Sequence, residues 1–293
     1  MKKLQQTRKP SEGHWVGDGF PVKTIFSYNN IAREMSPFIL LDYAEPRNFT
    51  PTEQKRGVGE HPHRGFETVT IVYQGEVEHR DSSGGGGQIG AGDVQWMTAA
   101  SGVVHEEYHG REFSKRGGTF EVAQLWVNLP KKDKMSSPGY QAILNEQIPQ
   151  VEISPGAGFV RVIAGEYQGK KGPARTFTPM NVWDVRLKAG HKVEFLLPDG
   201  YTTGLFVLKG LIAVPNSTGG MQEIGASELA VMEREGQTLG FEVREDTMLL
   251  FLNGEPINEP IEGYGPFVMN TREEIQRAYF DFQSGKMGRL TES

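Results

Sequence analysis

Short β-prone runs, each closed by glycine, proline, asparagine or aspartate, recur along nearly the whole chain. The clearest are "TVTIVYQG", "GDVQWM", "FEVAQLWVNLP", "NVWDVRL", "HKVEFLLP", "GLFVLKGLIAVP", "SELAVME" and "TMLLFLNG". A short run rich in β-branched and aromatic residues and stopped by a turn former is a strand signal. Many such runs in series predict a sandwich or a barrel. The 37 glycines and 17 prolines among 293 residues supply the punctuation. The expected fold class is therefore all-β, with enough chain for one large domain or two of ordinary size.

One segment departs from this pattern. Thr271–Ser284, "TREEIQRAYFDFQS", reads as an amphipathic helix. Thr271 and Glu274 form a capping box, and Ile275, Ala278, Tyr279 and Phe282 share one helical face. Gly285 is the expected stop. The apolar stripe needs a partner, so the helix is expected to dock on the β-structure with Ile275, Tyr279 and Phe282 buried. Near the middle, the polar stretch "LPKKDKMSSPGYQ" (Leu129–Gln141) reads as a loop leading between two β domains. The expected domains are 1–135 and 136–293, the second carrying the helix 271–284. The halves echo each other, since "IGAGDVQWM" and "IGASELAVM" both place a turn before a strand ending in methionine. That echo predicts two β-barrels of one type in tandem.

Composition excludes several classes. A net charge of −6 argues against a general nucleic-acid binder, which carries a basic surplus or stripe. No apolar run approaches the ~18–20 residues that span a bilayer, and the basic start is followed by no apolar signal region. With no cysteine there is no disulfide, thiolate metal site or thiol nucleophile. A cytoplasmic location is the default expectation.

The chemistry concentrates in the first half, which holds six of the seven histidines. In a strand, residues i and i+2 face the same side, so His61 and His63 point together. Glu67 keeps that parity if the strand is regular. Pro62 fits between the histidines only on an edge or at a strand start. Downstream, "SGVVHEEYHG" places His105 and Glu107 at i and i+2, while Glu106 has the opposite parity. Two such pairs delivering three imidazoles and a carboxylate suit an octahedral, redox-capable divalent metal with open positions. A lone H-x-H is more often a surface feature. His79, ahead of a glycine-rich turn, reads as a solvated hairpin residue. His109 lies past Tyr108 toward a loop and is a marginal candidate. His14 and His191 are isolated, and the run Gly84–Gly87 reads as a flexible hairpin tip.

"HPHRGFETVTIVYQGEVEHRDS" followed by "GAGDVQWMTAASGVVHEE" resembles the pirin family, a branch of the cupin superfamily. His61, His63, Glu67 and Gly75 match the first cupin motif. Gly92, Gly102 and His105 match the second more loosely, with Ala100 where proline is usual. The likeness runs on through "VWDVRLKAGHKVEFLLPDG" and "MNTREEIQRAYFDFQSGKMG", nearly the whole chain. The resemblance implies a bicupin with one metal in the N-terminal barrel, held by His61, His63, His105 and Glu107. It implies Fe2+, with nickel, copper, manganese, zinc or cobalt as alternatives. Cupins at large often use the first-motif glutamate, here Glu67; the pirin pattern makes it a non-ligand. The second barrel, left with His191 alone, is expected to be metal-free.

Two functions follow from the resemblance. One is a dioxygenase similar to quercetin 2,3-dioxygenases, acting with O2 on a flavonol or another enolic or phenolic compound, with Glu107 as the base that takes the hydroxyl proton. The other is a non-catalytic iron-dependent transcriptional co-regulator that works through a protein partner and does not read DNA itself. A bicupin with an adventitious metal is the third alternative.

Overall fold

The structure, a computed structural model, describes residues 1–10 and 12–290. The glycine-bounded runs form strands, and these build two units, each pairing a seven-stranded sheet with a four-stranded one. One unit comprises residues 11–33, 38–145 and 257–293; the other comprises 1–10, 34–37 and 146–256. These boundaries differ from a single cut at residue 135. Leu4–Arg8 pairs with Glu228–Met232 and so belongs with the second half. The helix Arg272–Gln283 belongs with the first. The expected connecting loop also ends as structure, because Gly139–Ile143 forms a strand on Val94–Thr98. Among the described residues, no helix is long and apolar enough to cross a membrane.

Within the histidine-rich unit, the seven-stranded sheet has Phe66–Gln74 near its centre, flanked by Val94–Thr98 and Gly118–Asn128. The four-stranded sheet runs Gly57–His63, Val103–His109, Glu76–Asp81, Gly86–Gly90. Gly57–His63 is thus an edge strand, and Pro62 has no neighbour on its outer side that would need an N–H. Phe20, Val72, Phe113, Phe120 and Val122 fill one end of the interior. The glycine run is only partly a tip. Gly86 and Gly87 are already in a strand opposite Arg80 and His79. The turn before them is fastened by Asp81, whose Oδ1 accepts from Ser83 N, Ser83 Oγ and Gly85 N at 2.8, 2.6 and 3.0 Å.

The helix carries its expected capping box, with Glu274 N donating to Thr271 Oγ1 at 3.2 Å and Thr271 N to Glu274 Oε2 at 3.0 Å. Ile275 and Ala278 pack with Val104, Phe267, Met269 and Met287, and Tyr279 is half-buried against them. Phe282 departs from expectation, being 36% exposed, while Asp281 is buried beside it. The reason is an ion pair: Arg64 Nη1 meets Asp281 Oδ2 at 3.0 Å, and Arg64 is itself buried. The buried stripe is therefore rotated toward Asp281. Two shorter helices, Ala32–Met35 and Arg111–Arg116, have no periodicity long enough to be read from sequence.

Candidate metal centre

His61 and His63 project from the edge strand, and His105 stands opposite His61 on the next strand. The ring centroids lie 4.2 Å (His61–His105), 4.8 Å (His63–His105) and 4.9 Å (His61–His63) apart. One ligating nitrogen from each ring lies within 4.8 Å of the others. His61 Nδ1 is 2.8 Å from Gly59 O, and His63 Nδ1 is 3.3 Å from Pro266 O. A carbonyl only accepts, so both Nδ1 atoms carry the proton and both Nε2 atoms keep a lone pair. The Nε2 of His105 is fully buried and has no hydrogen-bond partner. Burial, then the neighbouring His61, pushes the pKa of His63 and of His105 well below 6.5. Neutral imidazoles with bare, buried nitrogens are the donors that a divalent metal takes, so these residues fit the implied ion.

Glu107 is placed differently from the three histidines. It groups with His105 and His79, again within 4.8 Å, and not with all three ring ligands at once. A register shift against the edge strand between His105 and Glu107 still leaves both side chains buried. Glu107 also lines one small cavity with His61. Its Oε1 accepts from Gln95 Nε2 at 2.9 Å and Thr70 Oγ1 at 3.4 Å, and its Oε2 from Gln124 Nε2 at 3.1 Å. Tyr140 OH donates to Gln95 Oε1 at 3.1 Å, which turns the amide nitrogen of Gln95 toward Glu107. Glu106 faces the other way and pairs with Arg80 at 2.7 Å.

Register explains this polar set. Thr24, Asp42, Gln124, Thr70 and Gln95 stand opposite one another on five adjacent strands. They make a polar row across the inner face of the sheet. Asp42 also lines the cavity; burial pushes its carboxyl above the ordinary range, against the hydrogen bond from Thr24. The rest of the lining is apolar, with Val16, Phe20, Val22, Val58 and Val122. The cavity measures about 40 Å³, room for a few waters. Two larger hollows, about 420 and 390 Å³, open at the surface beside Trp15 and beside Tyr108, and neither gathers the three histidines.

Glu67 lies on the opposite face of its strand from Phe66 and Thr70, which approach His63 and Glu107. The parity carried over from His63 is broken at Arg64 and Gly65, which separate the two strands. Glu67 meets Thr98 Oγ1 at 2.7 Å.

His79 corrects an expectation. It is 2% exposed, not solvated, and its Nδ1 lies 3.3 Å from Nδ1 of His105. Its Nε2 is 3.1 Å from Asp81 Oδ2, and its ring stacks on Tyr140. Burial opposes ionisation of Asp81, but the hydrogen bonds from His79 and Ser83 outweigh it and hold the carboxyl below its ordinary range. His109 is also buried, not in a loop; it lies among Phe20, Phe49, Phe113 and Phe120, with Nε2 2.7 Å from Gly19 O. It belongs to neither metal-capable group. His191 is half-buried, and its Nδ1 is 3.2 Å from the carbonyls of Lys188 and Ala189. A signal for His79 was present, since Val77, His79 and Asp81 alternate at i, i+2 and i+4. Gln95 and Gln124 were likewise lone amides inside apolar strands.

The Pirin family profile matches residues 19–127, and that of the Pirin C-terminal cupin domain matches residues 182–288. A Pseudomonas aeruginosa protein named "Putative quercetin 2,3-dioxygenase" is 54% identical over 98% of both chains. A tomato "Pirin-like protein" is 38% identical over 93% of this chain and 88% of its own. The crystal structure of a quercetin 2,3-dioxygenase from Acinetobacter baumannii superposes with a TM-score of 0.95 at 53% identity, covering 99% of this chain and all of that one. The two cupin domains, the sheet pairs that form them and these likenesses over the full length agree: this chain is a member of the pirin family and a bicupin.

Proposed function

We propose that this protein is a metal-dependent, pirin-type dioxygenase of the cytoplasm that cleaves a flavonol such as quercetin, or a related enolic or phenolic compound, with O2. The observation that carries the proposal is the meeting of three imidazole nitrogens beside a buried carboxylate that lines a cavity with one of them. Full-length similarity to proteins named as quercetin 2,3-dioxygenases supports the reaction class. His61, His63 and His105 are the nitrogen ligands in this reading, with Glu107 as the carboxylate ligand, and Fe2+ is the expected ion. When bound, the ion supplies Lewis acidity toward a substrate oxygen and redox chemistry toward dioxygen.

The chain's own residues do the rest. Glu107 is aimed by two amides and a hydroxyl, all donors, so its oxygens stay fixed in the cavity as proton acceptors. It takes the proton from an enolic or phenolic hydroxyl, leaving an electron-rich oxyanion beside the histidines. Val16, Val22 and Val122 supply apolar lining in the same cavity. A ligand of flavonol size needs several hundred Å3, far more than about 40 Å³. Flavonol entry therefore requires the wall carrying Val16 to move, and a smaller chelating enol needs less movement.

The test uses protein reconstituted anaerobically with Fe2+ and then exposed to air with quercetin and with small enols. It follows loss of flavonol absorbance and release of carbon monoxide. Glu107→Gln at equal iron should lower turnover by ~10²-fold or more, the usual loss with a general base. If wild-type protein turns over none of these compounds above free iron, the co-regulator reading replaces the enzyme. Cell fractionation tests the location.

A further inference from the structure

We infer that His79 and Asp81 are positioning residues that fix the tautomer of His105 and so hold its Nε2 bare for the metal. This rests on the metal reading above but makes a claim that can be tested without metal. The relay follows from strand register. On Glu76–Asp81, Asp81 stands opposite His105 and His79 opposite Glu107. All four side chains are buried, so their hydrogen-bonding groups must find partners inside the protein.

Proton accounting then leaves one arrangement. Asp81 Oδ1 already takes three donors, from Ser83 N, Ser83 Oγ and Gly85 N. Its other oxygen, Oδ2, faces His79 Nε2 at 3.1 Å. A carboxylate accepts, so a neutral His79 carries its proton on Nε2 and keeps a lone pair on Nδ1, with Glu107 Oε1 at 4.0 Å too far to accept from it. That lone pair faces Nδ1 of His105 at 3.3 Å. The pair is a hydrogen bond only if His105 donates from Nδ1. The remaining nitrogen, Nε2, is then bare, and it is the buried atom with no partner. The opposite tautomer would set two lone pairs against each other and bury an unpaired N–H. Tyr140 stacks on the His79 ring at 5.0 Å, nearly parallel, and holds its plane. Gly85 permits the close packing, since a Cβ there would lie 2.4 Å from Asp81 Oδ2 and 2.8 Å from Tyr140 Cβ. Outer partners of this kind orient a ligating imidazole, and losing one typically weakens metal affinity 10–100-fold.

Asp81→Asn is the informative change. The three donors on Oδ1 hold the amide oxygen in place, so the amide nitrogen faces His79. That forces His79 to accept at Nε2 and donate from Nδ1, and it moves the His105 proton to Nε2. In the full-length apo protein, 15N chemical shifts of the histidine rings report which nitrogen is protonated. The expected result is a bare Nε2 on His105 in the wild type and a protonated one in Asp81→Asn. Co2+ affinity, measured by chelator competition, should fall 10–100-fold. His79→Asn keeps an acceptor near the position of Nδ1 and should retain the His105 tautomer and Co2+ affinity within a few-fold, whereas His79→Leu should lose affinity like Asp81→Asn. That second pair decides the matter if Asp81→Asn does not fold. A His105 protonated on Nε2 in the wild type would overturn the relay. So would an unchanged tautomer in Asp81→Asn, or Co2+ affinity within twofold of wild type in both Asp81→Asn and His79→Leu. Wild-type protein that binds no Co2+ would overturn the metal reading instead, while the tautomer measurement would still decide the relay.

Discussion

Glu67→Gln should make the protein more stable at pH 8 without costing it metal. Glu67 is fully buried, and apart from the Thr98 hydroxyl it has little to stabilise a charge. Its Oε2 has no hydrogen-bond partner, and neither does the nearby Trp96 Nε1. Burial pushes its pKa from 4.5 up to about 7, against the hydrogen bond from Thr98. Between pH 4.5 and about 7 the folded protein therefore holds a proton that the unfolded chain has released. Folding stability is complete below that pH and declines as pH rises through 7. The displacement from 4.5 to about 7 corresponds to about 3 kcal/mol, as an order of magnitude. Glutamine has the shape of the protonated acid and does not titrate. Urea denaturation from pH 5 to pH 8 should give near-equal stabilities at the acid end and a variant ahead by about 2–3 kcal/mol at the alkaline end. Parallel curves for the two proteins would refute the buried-acid argument. Loss of stoichiometric metal in Glu67→Gln would show that Glu67, not Glu107, is the ligating carboxylate.

Asp281→Ala leaves the buried Arg64 without its 3.0 Å partner, and should cost about 2–4 kcal/mol in urea denaturation; a loss under 1 kcal/mol would mean water already screens the pair. Burial of Asp281 raises its pKa, but hydrogen bonds from Arg64 and Lys286 overcome this and hold it below 3.8. Its stabilisation is therefore full above the unfolded value and disappears as pH falls below about 4, a loss that Asp281→Ala should no longer show. Val16→Ala removes part of the cavity wall and should raise kcat/KM for a flavonol relative to a small enol by a few-fold; equal changes for both substrates would show that entry is not limited at this wall.

Period-two alternation made much of the site legible. The i, i+2 rule pairs His61 with His63 and His105 with Glu107 and gives Glu106 the opposite parity, while the choice of Glu107 over Glu67 comes from the pirin resemblance. The same rule misled at Glu67, because it assumes an unbroken strand and Arg64–Gly65 interrupt it. His79 was misjudged because a glycine run nearby suggested solvent, when the turn is in fact tied down by Asp81. Gln95, Gln124 and Asp42 meet only when five strands align, and register between strands distant in sequence is not written in any one of them. The exchange of termini between the units is of the same kind. Leu4–Arg8 is too short and polar to announce which sheet edge it completes.

The two units have one strand plan and opposite interiors, and both metal-capable groups among the described residues lie in the first. In the second unit the four-stranded sheet runs Lys192–Leu196, Thr238–Val243, Leu211–Pro215, Met221–Gly225, the same order by position as in the first. Where the first unit turns His61, His63, His105, Glu107, His79 and Asp81 inward, these strands turn in Val193, Phe195, Leu239, Phe241, Ile212 and Val214. Trp183 and Phe251 close over them, with ring centroids 4.9 Å apart. Each buried polar group in the first unit costs free energy unless a neighbour satisfies it. That is why Glu107 comes with Gln95, Gln124 and Thr70 attached, and Tyr140 behind Gln95, in a connected network. An apolar interior has no such requirement and keeps its full hydrophobic stabilisation. A histidine placed singly into the second interior would arrive without its network and bury an unpaired nitrogen. Gaining a second metal centre there would take several concerted changes, whereas losing one takes a single large apolar side chain.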